Sequence, residues 1–400
     1  GMPLSSQAFA CLFVALTNVC IEHYILFIPT MAVAFEVSPQ VMIWSVALTQ
    51  AVYGCASLVV GPLSDRVGRK PVLVGGSFLL SVSTFACGCA ETAWWFFLCR
   101  VSEGIAMSAT TAMYALIRDY CSDDKQMFKV MTWIWNTDMS CSFLVRIASG
   151  MIIAQSNWRC PFYILTGVTA ILAALGAIVL RDNGDALEAQ SADYFHDIGV
   201  IFSDPHLVCL LFSYSCLLGY CYTVIANSVV VLEMDYNWGV QATSVAMGLV
   251  FVSQQIGAWC ALMCMCSPFL RVLRLSSALL LLSGAVFALQ SLPHLRQGSI
   301  YAMGIFLVQM IITPPFLAIP AFYYHPLGKC AGTAAAVVTA TSLLFGGAVV
   351  PALGAAFTQS MGPPGLTSYM AVLVVLPAIL IHWGFGVHAP QWASEVTGDD

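Results

Sequence analysis

Gly61-Pro-Leu-Ser-Asp-Arg-Val-Gly-Arg-Lys70 packs four charges, Asp65, Arg66, Arg69 and Lys70, between two long uncharged runs. Val41 to Val60 ahead of it and Pro71 to Ala90 behind it carry no charge. About 20 apolar residues suffice to cross a bilayer as a helix. The pattern therefore predicts a tight loop between two membrane-spanning helices.

Composition extends that reading to the whole chain. Of its 400 residues, 60% are hydrophobic and 8% charged, whereas soluble domains are about a quarter charged. Lipid must be the solvent for much of this surface. Twelve spans are predicted, near 7–30, 41–63, 72–91, 94–117, 126–154, 161–180, 205–231, 242–266, 273–292, 299–323, 331–357 and 367–389. The expected fold class is thus an all-α membrane protein.

Lys and Arg in short loops set orientation. With both termini inside, the inner loops hold Arg66, Arg69, Lys70, Arg118, Lys125, Lys129, Arg181, Arg271, Arg274 and Lys329, and the outer loops only Arg159 and Arg296. The expectation is an integral protein of a bacterial inner membrane with both termini cytoplasmic. Residues 2–8 lack a positive n-region and no A-x-A-like site follows, so no cleavable signal peptide is expected. Most of the sixteen cysteines fall inside spans, where they act as small apolar residues. Cys260, Cys264 and Cys266 lie in an apolar helix without His or carboxylate nearby, and no metal site is expected. Cys87, Cys89 and Cys160 fall near the outer face, where spacing alone assigns no disulfide.

The longest interruption runs from Arg181 to Pro205 and contains seven charged residues. It divides the chain into a six-helix half at 1–183, a cytoplasmic linker at 184–204 and a second half at 205–400, the layout of a transporter built from repeats. Ser191 to Ser203 reads equally well as an amphipathic surface helix, with Tyr194, Ile198, Ile201 and Phe202 toward lipid, or as a solvated linker. Ser122 is a plausible N-cap for span five. Thr313-Pro-Pro-Phe-Leu-Ala-Ile-Pro320 predicts a kinked span ten. Gly346-Gly-Ala-Val-Val-Pro-Ala-Leu-Gly354 predicts close packing and a bend in span eleven.

Ionisable groups deep in a bilayer are costly and usually functional. Glu22 lies beyond the midpoint of span one. A carboxylate in low dielectric favours its protonated form and can exchange protons. It could also bind a cationic substrate directly, the alternative being a structural carboxylate hydrogen-bonded to a neighbouring helix. His23 points to a different face and is read as a packing residue or a helper in proton exchange. Arg100 and Glu103, three residues apart, share one face of span four and can pair, for transport or for structure alone. Asp138 and Arg146 lie on one side of span five two turns apart, too far to bond directly, so each should meet another helix or a substrate. Asn136, with Asp138 and Arg146, would line a central cavity, as would His23 and Tyr24. No Walker sequence, nucleophile elbow, zinc motif or basic nucleic-acid patch appears. The chain is therefore expected to be no enzyme, to need no cofactor and to bind no nucleic acid.

The charged run Gly61 to Lys70 resembles, almost residue by residue, the loop between helices two and three of the major facilitator superfamily of transporters. The resemblance implies that Gly61, Asp65, Arg66, Gly68, Arg69 and Lys70 form a gating loop, in which Asp65 and the basic residues latch the cytoplasmic ends and Gly61 permits close helix approach. Leu98-Cys-Arg100-Val-Ser-Glu103-Gly104 is similar to the family's span-four motif, whose Arg is tied to proton coupling; Glu103 stands where Gln is usual. Gly328-Lys-Cys-Ala-Gly332-Thr-Ala-Ala335 looks like the stretch entering span eleven in bicyclomycin/chloramphenicol exporters, a branch of the twelve-span drug:proton antiporters.

Two departures stand out. Ser142-Phe-Leu-Val-Arg146-Ile-Ala-Ser-Gly150 replaces the antiporters' Gly-Pro-rich motif of span five, and only Gly150 survives. The branch's acid four residues before a Pro in span one would be Ile25, but the acid here is Glu22, one turn earlier. The resemblance implies a monomeric carrier that moves a small molecule by alternating access, exchanging protons through Glu22, Arg100 and Glu103. Drug or metabolite export by antiport is the first expectation. Proton-coupled import of a nutrient, amino acid or siderophore is the alternative, and a transporter-like sensor a third.

Overall fold

The computed structural model describes residues 4–120, 124–153, 157–180, 201–264, 278–286, 297–324 and 331–383, with Gly199 and Leu289. The elements are helical throughout. They are α1 (Leu4–Glu22), a 3₁₀ segment (His23–Phe27), α2 (Ile28–Ala34), α3 (Pro39–Val67), α4 (Arg69–Gly88), α5 (Ala93–Met107), α6 (Thr110–Tyr120), α7 (Asp124–Ile153) and α8 (Cys160–Val179). There follow α9 (Pro205–Val230), α10 (Val240–Cys264), α11 (Gly298–Tyr324), α12 (Ala331–Thr341), α13 (Val350–Met361) and α14 (Pro363–Ile381). Two compact units result: Gly1–Ser191 with Gly239–Gly248, and Ala192–Trp238 with Leu249–Asp400.

Eight helical stretches among the described residues are long and apolar enough to cross a membrane. The other four predicted spans fall short of that length and composition among the described residues for particular reasons. Span four is broken into α5 and α6 at Ser108-Ala109. There Ser108 Oγ donates to Ile105 O and Thr111 Oγ1 to Ser108 O, local bonds that compete with the helical ladder. The break lies against α4, where a Cβ on Gly76 would come within 2.5 Å of the Ala109 Cβ. Both α7 and α10 are diluted by polar residues, Asn136, Asp138, Ser142 and Arg146 in one and Thr243, Ser253, Gln254 and Gln255 in the other. Half of span 273–292 lies outside the described residues, as do Ser122, Tyr194 and Ile198. Of the proposed linker helix, Ile201 is buried and Phe202 exposed.

In the first unit Phe9 and Phe13 of α1 pack with Leu73 of α4, Met113 and Leu116 of α6, Ile134 of α7 and Leu172 of α8. Gly104 lets α5 approach the Thr49 carbonyl of α3, which a Cβ would meet at 2.7 Å. Apolar side chains point outward as well, among them Trp94 and Ile178, each 79% exposed. Such exposure fits a lipid-facing surface.

The predicted loop Gly61–Lys70 is almost wholly helical. The end of α3 runs to Val67 and α4 starts at Arg69, leaving Gly68 as the junction. Its φ of 103° and ψ of 152° belong to a region open essentially to glycine alone. Gly68 N donates to Ser64 O at 3.1 Å, and Arg69 Nη1 donates to Ser64 Oγ at 2.6 Å. This sets a cation at the negative end of α3. A Cβ on Gly61 would meet no atom of the described residues within 4 Å. Arg66 is exposed and Lys70 half-buried. Asp65 lies in the last turn of α3, with its side chain outside the described residues.

In the second unit α11, where a kink is predicted, is one continuous helix through Pro314, Pro315 and Pro320. Pro314 cannot donate to the Met310 carbonyl, and α10 comes close to that oxygen: a Cβ on Gly257 would stand 2.5 Å from it. In span eleven, where a bend is predicted, a π-helical segment, Ser342–Val349, joins α12 to α13. A second π-helical turn, Val231–Asp235, ends α9.

Candidate functional site: buried ion pairs of the first unit

Glu22 is the last residue of α1 because the chain tightens into the 3₁₀ segment behind it. Pro29 lacks an N–H and so cannot continue the α-helical ladder across that point. The tightening leaves the Glu22 side chain 13% exposed, with its Oε2 3.6 Å from Nη2 of Arg146 on α7. Ser142 lies one turn before Arg146 on the same face of α7, and its Oγ is buried without a hydrogen-bond partner among the described residues. The two departures from the family pattern thus meet. The displaced acid of span one faces the arginine that occupies the span-five motif. Gly150 survives because α7 packs there against Ser244, whose side chain fills the place of a Cβ.

Arg100 and Glu103 are wholly buried and form an ion pair within α5. Arg100 Nη1 also donates to the Cys20 carbonyl at 3.2 Å. Its guanidinium carbon lies 4.5 Å from the centroid of the Tyr24 ring, a cation–π contact strengthened by desolvation. Thr84 Oγ1 of α4 donates to Glu103 Oε1 at 2.7 Å. Tyr24 OH in turn shares a 2.8 Å hydrogen bond with Ser45 Oγ of α3. Four elements therefore fix one pair, and the acid at Glu103 supplies the countercharge that the usual Gln could not.

Asp138 sits halfway along α7, 5% exposed. Asn18 Nδ2 of α1 donates to its Oδ2 at 2.7 Å. Asp138 and Arg146 thus each engage α1, one turn apart, rather than each other.

Three expected cavity residues are placed differently. His23 is packed edge-on against Phe162, ring centroids 4.6 Å apart, with Nδ1 3.1 Å from Val19 O. Tyr24 is closed in by Phe96 and Arg100. Both are interior packing residues of the unit, because the 3₁₀ turn rotates them away from Glu22 toward α5 and α8. Asn136 is half-buried and about 200° round the helix from Asp138, so the two do not share a face. Asn18 and Thr84 were missed by the sequence reading. Asn18 could have been found, since it lies four residues before Glu22 and so on its face. Thr84 carries no such signal, because a lone threonine in an apolar helix usually bonds its own backbone. Cys87, Cys89 and Cys160 are free thiols here.

Residues 8–351 match the family model described as Major Facilitator Superfamily. A multidrug resistance protein, MdtL, of Klebsiella pneumoniae subsp. pneumoniae is 27% identical over 45% of this chain and 46% of that protein. The chain thus spans about half the length of the curated relatives of that name it matches. An uncharacterized MFS-type transporter, YceJ, of Bacillus subtilis is 24% identical over 88% of this chain and 89% of its own length. In fold, a D-xylose–proton symporter superposes with a TM-score of 0.74 at 12% identity, covering 94% of this chain and 96% of its own. The human organic anion transporter MFSD10 gives 0.70 at 15% identity, covering 95% of this chain and all of its own.

Proposed function

The chain belongs to the Major Facilitator Superfamily of transporters, an integral membrane family, and we propose that it exports small organic molecules in exchange for protons. The observation that carries the reading is the 3.6 Å pair of Glu22 and Arg146. The contact is longer than a hydrogen bond and joins two helices, so a shift of α1 against α7 parts it, and each charge then needs a new partner. Once apart from Arg146, Glu22 has lost its countercharge in low dielectric and takes up a proton; rejoined, it gives the proton back. Arg100, held by Glu103 and Tyr24, tunes the field at α1 and does not itself titrate. The name multidrug resistance protein, carried by the partial relatives, supports the direction.

On the same proposal the halves are residues 1–183 and 205–400 joined by a cytoplasmic linker, and they rock by alternating access in an inner membrane. Both termini are cytoplasmic and the working unit is a monomer. The Gly61–Lys70 segment acts in gating, with Gly68 as its hinge.

Proton-coupled import is the second reading, favoured by Arg146, a cation where antiporters carry Gly and Pro. Growth of a pump-deficient bacterial host against a panel of toxic compounds separates the two. Protection by the wild type and its loss in Glu22→Gln at equal membrane abundance supports export. Added sensitivity with the wild type supports import.

A further inference from the structure

Among the described residues Glu22 has a cation beside it and Asp138 has none. Asp138 is 5% exposed, and one carboxylate oxygen, Oδ2, accepts from the Asn18 amide. The other, Oδ1, is buried with no hydrogen-bond partner among the described residues. The titratable groups around it are Glu22 of α1, Tyr53 of α3 and Cys141 one turn along α7. None of these is cationic. Arg146 lies eight residues, about 12 Å, further along α7 and faces Glu22.

A buried carboxylate whose sole donor is a neutral amide is far costlier ionised than protonated. A second carboxylate nearby adds repulsion. The occupant that removes the charge must also be small, since Oδ1 is closed off. A proton meets that demand and an organic cation does not.

We propose that Asp138 is a second proton site of the transporter, carrying its proton on Oδ1 in this conformation while Glu22 stays ionised against Arg146. The step is a bare protonation: Oδ1 takes a proton from bulk water and later returns it, and no other bond changes. Asn18 is a positioning residue, holding Oδ2 as the carbonyl oxygen of the acid. The inference builds on proton-coupled export, but its test does not depend on it.

Infrared difference spectra of the purified full-length protein, taken between neutral and alkaline pH, read the carboxylic C=O stretch directly. The wild type should show a protonated-acid band that bleaches at alkaline pH. The band should vanish in Asp138→Asn and persist in Glu22→Gln. Asn18→Leu removes the donor to the carbonyl oxygen and should move the band to higher frequency, a signature a merely structural asparagine would not give. A band that survives Asp138→Asn, or is unmoved by Asn18→Leu, overturns the assignment. Ethidium transport by wild-type vesicles keeps the two readings apart. No proton-driven ethidium export together with the stated bands would sink export as the function of this chain while sustaining Asp138. Proton-driven export with the band intact in Asp138→Asn would sink Asp138 alone.

Discussion

The two units solve the problem of polar groups in lipid in different ways. The first buries charges: Arg100 with Glu103, Glu22 with Arg146, and Asp138 with Asn18. In the second, the described residues of α9 to α14 include no Lys, Arg, Asp or Glu, and the acids Glu233 and Asp235 sit in the π-helical turn after α9. Its buried polar contacts are neutral. Gln309 Nε2 donates to Cys221 Sγ at 3.2 Å, Asn227 Nδ2 to Pro351 O at 3.3 Å, and Ser228 pairs with Tyr301 OH at 2.9 Å. It also departs from regular helix by π-helical turns and prolines, and its glycines accept neighbouring backbone. The difference teaches that the paired charges are concentrated in one unit, whereas the other, apart from the half-buried Glu233 after α9, is shaped by backbone geometry.

That contrast can be broken by substitution. The largest effect is expected at Arg100→Leu, which strands Glu103 as a buried, unpaired charge at a cost of about 3–5 kcal/mol. The loss should appear as a collapse of thermal stability in detergent. The double variant Arg100→Leu/Glu103→Leu should recover most of it while failing in transport. Equal instability of single and double variants would show that packing, not charge, is what Arg100 supplies.

A smaller loss is expected at Gly346→Ala in the second unit. The new Cβ collides with the Ser215 carbonyl and lies 3.1 Å from Gly219 N. Overpacking of this kind costs about 1–3 kcal/mol, read as a lower unfolding temperature with the pH dependence of transport unchanged. The smallest effect is expected at Gln309→Leu. It removes a neutral contact to a sulfur worth about 1 kcal/mol and should leave proton dependence intact. A changed pH profile in Gln309→Leu would contradict the assignment of proton coupling to the ion pairs of the first unit.

How much of this was legible in the sequence varied with the kind of signal. The charged run at Gly61–Lys70 and its uncharged flanks announced a membrane helical pair, because lipid permits no other reading of 20 uncharged residues. The run's length misled about the loop, since charged residues at a helix end remain helical and only Gly68 breaks the ladder. The break at Ser108-Ala109 was hidden, because Ser and Thr disrupt a helix only when their side chains turn back to it. Arg100 with Glu103 was readable from a spacing of three. Glu22 with Arg146 was not, because the two lie on different helices, and only the contact between α1 and α7 shows that one oddity answers the other. The placement of His23 and Tyr24 depended on the 3₁₀ turn, a local rotation that a helical wheel cannot contain.

The most direct test of the Glu22–Arg146 pair as the seat of proton coupling is ethidium transport driven by an imposed pH gradient. It would be measured in everted vesicles holding equal amounts of wild type or Glu22→Gln, with Gln309→Leu as the second-unit control. The expected result is gradient-driven transport in wild type and Gln309→Leu, and none in Glu22→Gln. Full gradient-driven transport by Glu22→Gln would contradict it.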